Sequence, residues 1–205
     1  PMSAPTLGVI VLAAGASTRF GSAKQLATIA GVPMLQRVVE RALAVVDQSV
    51  SVVLGAHAQA IAATLSHLPV SIVTCQDWSE GMAASLRAGI GQLPGHCDAA
   101  LLLLADQVAV TSADLRRLVE TWRGNPRAVV AAQYNEGCGV PAIFPRQQFP
   151  QLLALRGAYG ARSILRQCTV TLLTVPMPNA ALDIDTPADL ERANRLSGSC
   201  GSGLA

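Results

Sequence analysis

Two cations stand in a loop of small residues that directly follows a strongly apolar segment. The segment ends at Leu12, and the loop 13–24 consists mainly of Ala, Gly, Ser and Thr around Arg19 and Lys24. Small residues let a ligand approach the backbone closely, and successive exposed N–H groups form a concave anion site. Guanidinium forks and ammonium groups both bind phosphate oxygens. The loop therefore predicts a polyphosphate site, although a glycine-rich turn with two solvated cations would have the same composition.

The spacing of this loop excludes two common phosphate motifs. It contains neither GxxxxGK[ST] nor GxGxxG, the signatures of P-loop and dinucleotide-binding proteins. An acid at the usual distance for binding a ribose is also missing. The sequence therefore disfavours an NAD(P)-dependent oxidoreductase.

Asp106 ends the most apolar segment of the chain, LLLLA. A carboxylate at that place needs a partner to offset its desolvation. Mg²⁺ is a natural partner for a carboxylate that lies near phosphates. Asp106 could instead cap the turn that follows it.

A second group of acids lies in DIDTPADL, residues 183–190. In an extended segment Asp183 and Asp185 share one face because side chains alternate. Asp185 is a candidate second Mg²⁺ ligand, or it or Thr186 caps the helix that begins at Pro187. Asp189 lies in the first turn of that helix, where the helix dipole favours a negative charge.

Cysteine and histidine give no further site. Five cysteines occur without a CxxC pair and three histidines are dispersed. This pattern predicts neither a disulfide framework nor a zinc site.

Apolar segments of strand length alternate with segments of helical period. The predicted strands cover 7–14, 49–55, 70–75, 98–106, 128–134, 140–145 and 170–176, and the predicted helices cover 34–45, 58–68, 82–93, 112–122, 162–168 and 187–196. We expect Ser112 to be the N-cap of its helix. Such alternation is typical of a mostly parallel sheet with helices on both faces. Ligands bind these sheets beyond the carboxyl ends of the strands, where Leu12 and Asp106 both lie.

The totals favour one α/β domain. The 205 residues are 51% hydrophobic and 3% aromatic, with a net charge of +2. We assign the domain to 7–196, with 1–6 disordered or carried over from cloning and 197–205 a flexible tail. No basic face is indicated for nucleic acid, and the apolar stretches are shorter than the ~18–20 residues of a membrane span. No leader-like segment opens the chain, so we expect a cytoplasmic location.

Four stretches resemble the MobA-like nucleotidyltransferases and, more narrowly, their molybdenum cofactor cytidylyltransferase branch. They are LAAGASTRFGSAKQL (12–26), DWSEGMAASLRAGI (77–90), LLLLADQV (101–108) and the region 139–190 with GVPAIFP, GARSILRQ and DIDTPADL. The resemblance implies a Rossmann-like three-layer α/β fold with a mostly parallel sheet and a small β insertion. It also implies Mg²⁺-dependent transfer of a nucleoside monophosphate to a phosphorylated acceptor, with release of pyrophosphate.

The resemblance further implies which residues do this work. Those that would bind the nucleotide are Leu12, Ala13, Ala14, Gly15, Ser17, Arg19, Lys24, Gly81, Ser85 and Asp106. Catalysis would depend on Arg19, Lys24 and Asp106. The metal would be held by Asp106 and Asp185. The acceptor would contact Gly139, Arg162 and Asp183.

The form LAAG favours CTP, since guanylyl-transferring relatives tend to have LAGG. The acceptor implied is molybdopterin or the molybdenum cofactor, with a molybdenum hydroxylase as a further partner. Three positions depart from the family pattern: Val108 replaces a frequent Pro, Ala158 replaces an acid in GD-x-GAR, and Cys75 replaces a common Asn. The last two bear on recognition of the acceptor or base more than on the type of reaction.

A phosphate nucleophile is already anionic at neutral pH, so its attack on the α-phosphorus needs no general base. Catalysis would then consist of positioning and charge neutralisation. Two alternatives stay open. The acceptor could be a sugar phosphate or a similar compound, or the protein could carry the cofactor to a hydroxylase without catalysing transfer.

Overall fold

The computed structural model describes residues 4–46 and 49–199. These residues form nine strands: β1 Leu7–Leu12, β2 Thr28–Ile29, β3 Val32–Pro33, β4 Val50–Leu54, β5 Ser71–Thr74, β6 Ala99–Leu104, β7 Val129–Tyr134, β8 Gly137–Pro145 and β9 Leu172–Pro176. They also form seven α-helices: α1 Met34–Leu43, α2 Ala58–Thr64, α3 Met82–Gly91, α4 Ser112–Gly124, α5 Phe149–Ala154, α6 Ala161–Arg166 and α7 Pro187–Ser199.

Seven of the strands make one sheet in the order β5-β4-β1-β6-β8-β7-β9. Only β8 runs against the others within this sheet. The predicted α/β architecture with a mostly parallel sheet is confirmed. Three strand pairs are antiparallel: β8 with β6 and β8 with β7 in the main sheet, and the short pair β2–β3.

The sheet lies between two layers of helices. Alternate residues of β1 face opposite sides: Val9 and Val11 pack with α1 and α4, whereas Ile10 and Leu12 pack with α3, α5 and α6. All six residues of β1 are buried. Burial on both faces explains why the strand is a continuous apolar run.

The register of the central strands places their carboxyl ends at one edge. Leu12 of β1 pairs with Val53 of β4 and with Leu104 of β6. The loop that starts at Ala13 and the turn that contains Asp106 therefore leave the sheet side by side. This edge is where the polar residues singled out above come together.

Three local features differ from the expectations. Thr111, not Ser112, is the N-cap of α4, because Thr111 and Asp114 form a reciprocal capping box. Helix α5 and the pair β2–β3 were not predicted, since six-residue helices and two-residue strands are too short to show a period. Helix α7 continues to Ser199, and 200–205 of the expected tail lie outside the described residues.

No described helix combines the length and apolar character needed to cross a membrane.

Asp114 gives a stability prediction. Burial alone raises the pKa of this carboxyl, but hydrogen bonds from Thr111, Asn179 and Arg117 outweigh burial and lower the pKa below its usual value. Replacing Asp114 by Asn removes the negative charge and puts an NH₂ donor in place of one of the two oxygens that accept these hydrogen bonds. We expect Asp114→Asn to lower the free energy of unfolding by about 1 kcal/mol at pH 7.

The same carboxyl fixes the sign of the pH dependence. A depressed folded-state pKa stabilises the protein above the unfolded value of ~3.9 and loses that contribution as pH falls through the folded value. The difference between wild type and Asp114→Asn should therefore shrink below pH ~4, as measured by urea unfolding. Glu120→Gln, an exposed change in the same helix, is the control. An equal deficit at pH 3 and pH 7 would assign the effect to packing instead.

Candidate active site

A cavity of about 410 Å³ opens at the carboxyl edge of β1 and β6. Its walls include every residue expected to bind the nucleotide: Leu12, Ala13, Ala14, Gly15, Ser17, Arg19, Lys24, Gly81, Ser85 and Asp106. Asp185 also lines it. The structure thus brings together segments that are separated by more than 160 positions in the chain.

Lys24 lies at the centre of the polar cluster. Its Nζ donates to Asp106 Oδ2 at 2.8 Å, to Asp185 Oδ1 at 3.1 Å and to the Ile184 carbonyl at 3.1 Å. Arg19 Nη1 reaches Asp185 Oδ2 at 3.1 Å. Two cations and two carboxylates from three distant segments therefore meet at one wall of the cavity.

The electrostatics of the cluster favour a charged Lys24. Burial alone lowers the pKa of this ammonium, but the charges and hydrogen bonds of Asp106 and Asp185 outweigh burial and hold the pKa above its usual value. Arg19 is 75% exposed at its side chain, whereas Lys24 is 15% exposed. Lys24 is thus the fixed cation of the site and Arg19 the solvated one.

Gln25 holds the loop and was not foreseen from the sequence. Its buried amide Nε2 donates to the carbonyls of Ala13 at 2.9 Å and Gly15 at 3.0 Å. Ser17 Oγ donates to Gln25 Oε1 at 3.3 Å. The only sequence signal was a polar residue directly beside Lys24. Gln25 fixes the shape of the loop around its backbone carbonyls.

The segment that carries Asp185 is fixed by the start of α7. Asp189 Oδ2 accepts from the backbone N–H groups of Thr186 at 2.8 Å and Asp185 at 3.2 Å. The hydrogen bonds from Thr186 lower the pKa of Asp189 to about 2. Asp189 N donates back to Thr186 Oγ1. Of the capping alternatives, the structure shows Thr186 in this role, which leaves the Asp185 carboxylate free to bind the cations.

Gly81 and Trp78 also line the cavity. A Cβ on Gly81 would lie 2.6 Å from the carbonyl oxygen of Gly157, and Gly81 has φ +117°. The Gly157 carbonyl also accepts from Ala83 N at 3.1 Å. A backbone conformation that disfavours L side chains and a close backbone contact both require glycine here.

We expect Gly81→Ala to lower the free energy of unfolding by about 2 kcal/mol, because strain and the clash with Gly157 add. Thermal and urea unfolding measure the loss. Gly91→Ala is the matched control on the same helix, since a Cβ there meets nothing within 4 Å. Equal stability of the two variants would show that the segment around Gly157 yields freely.

The residues expected to bind the acceptor lie outside the lining of this cavity. Arg162 Nη2 contacts Tyr134 Oη at 3.3 Å, and a Cβ on Gly139 would lie 2.3 Å from that oxygen. Partial burial and the charges of Asp106 and Asp185 raise the pKa of Asp183 to about 6. Gly139 and Arg162 thus form one group with Tyr134, whereas Asp183 interacts electrostatically with the two carboxylates of the cavity.

The carboxylates fit a divalent cation. Asp106 Oδ1 is buried and has no hydrogen-bond partner among the described residues. Carboxylate oxygens suit Mg²⁺ or Mn²⁺, and Mg²⁺ commonly uses one or two carboxylates together with substrate phosphates and waters. Within 4–46 and 49–199, no group of three or more His, Cys, Asp or Glu residues is arranged as a metal site. Asp106 and Asp185 therefore suit a cation that the substrate helps to bind.

A protein-family model described as a MobA-like NTP transferase domain matches residues 9–172. The chain belongs to this family. The loop 13–24, the Asp106 turn and strands β4 and β6 all lie inside the range that the MobA-like family model matches.

Three relatives of this MobA-like protein are informative. A nicotine blue oxidoreductase of Paenarthrobacter nicotinovorans is 30% identical over 201 residues, covering 92% of this chain and 96% of the relative. A probable molybdenum cofactor guanylyltransferase of Nostoc sp. is 27% identical over 206 residues, covering 90% and 88%. The crystal structure of Rv0371c from Mycobacterium tuberculosis H37Rv is 29% identical, with a TM-score of 0.83, and the match covers 95% of this chain and 100% of that one. The structure of the manganese complex of Rv0371c is 26% identical, with a TM-score of 0.78, and the match covers 93% of this chain and 98% of that one.

Proposed function

We propose that this MobA-like protein transfers a nucleoside monophosphate from a nucleoside triphosphate to a phosphorylated acceptor and releases pyrophosphate. The observation that carries the proposal is the contact of Lys24 with both Asp106 and Asp185 at the wall of the loop-lined cavity. A structural ion pair alone would not need a cavity of this size beside it.

In this mechanism an oxygen of the acceptor phosphate attacks the α-phosphorus. A P–O bond forms there while the bond to the β-phosphate oxygen breaks, and that electron pair leaves with pyrophosphate. Lys24 and Arg19 stabilise the charge that develops on the transferring and leaving phosphates. The loop 13–17 offers its backbone to the same oxygens.

Lys24 must change partners during this cycle. An ammonium has three donors, and Asp106, Asp185 and the Ile184 carbonyl occupy all three. Binding a phosphate oxygen therefore releases at least one of these acceptors. A divalent cation bound by Asp106 and Asp185 would neutralise phosphate charge there. Magnesium is the proposed ion, and the manganese complex of Rv0371c supports a divalent metal.

CTP is the proposed nucleotide. The support is the sequence Leu12-Ala13-Ala14-Gly15, in which Ala14 replaces the glycine typical of guanylyl-transferring relatives. Ala14 is buried in the wall of the cavity, so its methyl group narrows the site. The Nostoc relative, named a guanylyltransferase, makes GTP the natural competitor in any assay.

The proposed acceptor is molybdopterin or the molybdenum cofactor, bound near Gly139, Arg162 and Asp183. Arg162 supplies a guanidinium that carries no carboxylate partner within the part of the chain that the structure describes. Such a group suits the acceptor phosphate. A molybdenum hydroxylase is the proposed recipient of the product, and the cytoplasm the proposed location. A sugar phosphate is the alternative acceptor.

The nicotine blue oxidoreductase relative raises a second candidate, reduction of a dye-like substrate. The loop lacks the GxGxxG fingerprint of nicotinamide-dependent enzymes. The acidic pair at the cavity also suits a metal–triphosphate better than a nicotinamide cofactor. Transfer is therefore the preferred function.

One experiment separates these functions. The protein is incubated with Mg²⁺ or Mn²⁺, each of CTP, GTP, ATP and UTP, and either molybdopterin or a sugar 1-phosphate; pyrophosphate release is followed and the product identified by mass. We expect a CMP adduct of molybdopterin. A parallel arm measures NADPH oxidation with nicotine blue. Oxidation of NADPH without pyrophosphate release from any nucleotide and acceptor would replace the proposed function by the second candidate, and inactivity in both arms would favour a cofactor carrier.

A further inference from the structure

A second cavity of about 410 Å³ lies next to the first and shares none of its lining residues. Helix α1, the turn after Gln107, the segment 181–184 and helix α7 enclose it. The two cavities are separated by one stretch of chain, since Ile184 lines the second and Asp185 the first. Of the residues that line this second cavity, the proposed transfer reaction uses only Asp183.

Two cations that form no ion pair among the described residues lie in its wall. Arg37 and Arg41 are one turn apart on α1, and neither forms an ion pair with a carboxylate of the described residues. Arg37 donates to the Ile29 carbonyl, and Arg41 Nη1 donates to the carbonyls of Val108 and Val110. These contacts use only part of the five donors that each guanidinium carries.

The arginine pair is costly as it stands. Arg37 Nε is buried and has no hydrogen-bond partner among the described residues. Burial and the neighbouring charge of Arg37 lower the pKa of Arg41, and the opposing charges of Asp114 and Glu40 do not fully offset them. Like charges four residues apart on a helix also repel. An anion between the two guanidiniums would offset both the burial of the charges and the repulsion between them.

The remaining walls restrict what the anion can be attached to. They are mainly apolar: Ile29, Val108, Ala109, Ala181, Leu182 and Ile184. The third arginine, Arg192, is already paired with Asp189, and Asp183 adds a second acid. The carboxylates of Asp183 and Asp189 would repel a highly charged ligand such as a triphosphate. A single anionic group on an apolar body would not need to approach them.

We propose that this second cavity binds a small organic anion, a single phosphate or carboxylate on an apolar body, with Arg37 and Arg41 holding the charged group. Such a group matches guanidinium forks in geometry. A volume of this size is within the range of small-molecule sites. Because Ile184 also accepts from Lys24 and donates to the Asp106 carbonyl, the ligand would contact the backbone that supports the first cavity.

Phenyl phosphate is the probe, and isothermal titration calorimetry on the full chain measures its binding. We expect binding to wild type and a loss of about tenfold or more in Arg41→Gln, as for a charge-assisted hydrogen bond. Ala109→Phe fills the cavity and leaves both arginines in place, so it tests the site even if Arg41→Gln disturbs the turn that Arg41 holds. Thermal unfolding of each variant confirms that it is folded.

Arg19→Gln is the control for the first cavity, because Arg19 lines that cavity alone, and it should leave the affinity for phenyl phosphate unchanged. Benzoate should bind, and inorganic phosphate should bind more weakly because it lacks the apolar body. The proposal fails if phenyl phosphate does not bind wild type at low millimolar concentration. It also fails if Arg19→Gln abolishes binding while Ala109→Phe retains it, since the probe would then occupy the first cavity. Neither result would bear on nucleotidyl transfer.

Discussion

Lys24→Ala is expected to lower turnover by about 10²–10³-fold, the effect of removing one preorganised group that stabilises transition-state charge. Lys24 is the only lysine in the chain, so no second ammonium can replace it. The melting temperature should stay close to that of wild type, because Asp106 and Asp185 are 20% and 35% exposed at their side chains and water can solvate them. Single-turnover pyrophosphate release and thermal unfolding measure the two quantities.

A metal titration sharpens this prediction. In the structure Lys24 neutralises both carboxylates, so its ammonium competes with a cation for the same oxygens. Mn²⁺ should therefore bind Lys24→Ala at least as tightly as wild type, although turnover falls. Arg123→Ala, which removes an exposed cation from α4, is the control for a general loss of positive charge. Wild-type turnover in Lys24→Ala would remove Lys24 from the mechanism.

The single lysine also provides a direct probe. Labelling with ¹³C-lysine yields one side-chain resonance set, from Lys24 alone. Because all three of its donors are occupied, addition of nucleotide and metal should shift the Cε signal as Lys24 exchanges a carboxylate for a phosphate. An unshifted signal at saturating nucleotide would mean that Lys24 stays with Asp106 and Asp185 and only supports them.

The sequence was sufficient to predict the edge at which the site lies. Leu12 and Leu104 end continuous apolar strands, and parallel neighbours bring the residues that follow them together. Asp185 was harder, since it lies on an irregular segment after β9 whose path no period predicts. Alternation in DIDTPADL made Asp185 a candidate metal ligand but left capping of α7 as an equal choice, and the family resemblance favoured the metal.

The supporting contacts could not be predicted. Gln25 acts through two backbone carbonyls of a loop whose shape depends on the tertiary fold. The helical period of 34–45 places Arg37 and Arg41 on the polar face of α1, yet this face lines a cavity together with α7 and the turn after Gln107. Periodicity indicates which face of a helix is polar, but not which distant element covers that face.

Asp106→Asn is expected to lower turnover by a similar factor of about 10²–10³ but for a different reason. Asp106 Oδ1 is buried and unpartnered, and Oδ2 is bound to Lys24. The amide keeps the size of the carboxylate and removes its charge. It therefore weakens both the binding of the metal and the ion pair that holds Lys24 in place. Mn²⁺ affinity should fall by about tenfold or more, the opposite direction from Lys24→Ala.

The two variants together separate the roles of the cation and the carboxylate. Glu120→Gln is the control for a lost negative charge, since Glu120 is exposed on α4. If Asp106 merely capped the turn after β6, Asp106→Asn would lower the melting temperature while turnover per folded molecule and Mn²⁺ affinity stayed unchanged. A loss of turnover and of Mn²⁺ affinity in a variant that melts like wild type would instead place Asp106 at the metal and the reacting phosphates. A purely structural role could lower Mn²⁺ affinity only by disturbing the fold, and the melting temperature would then fall as well.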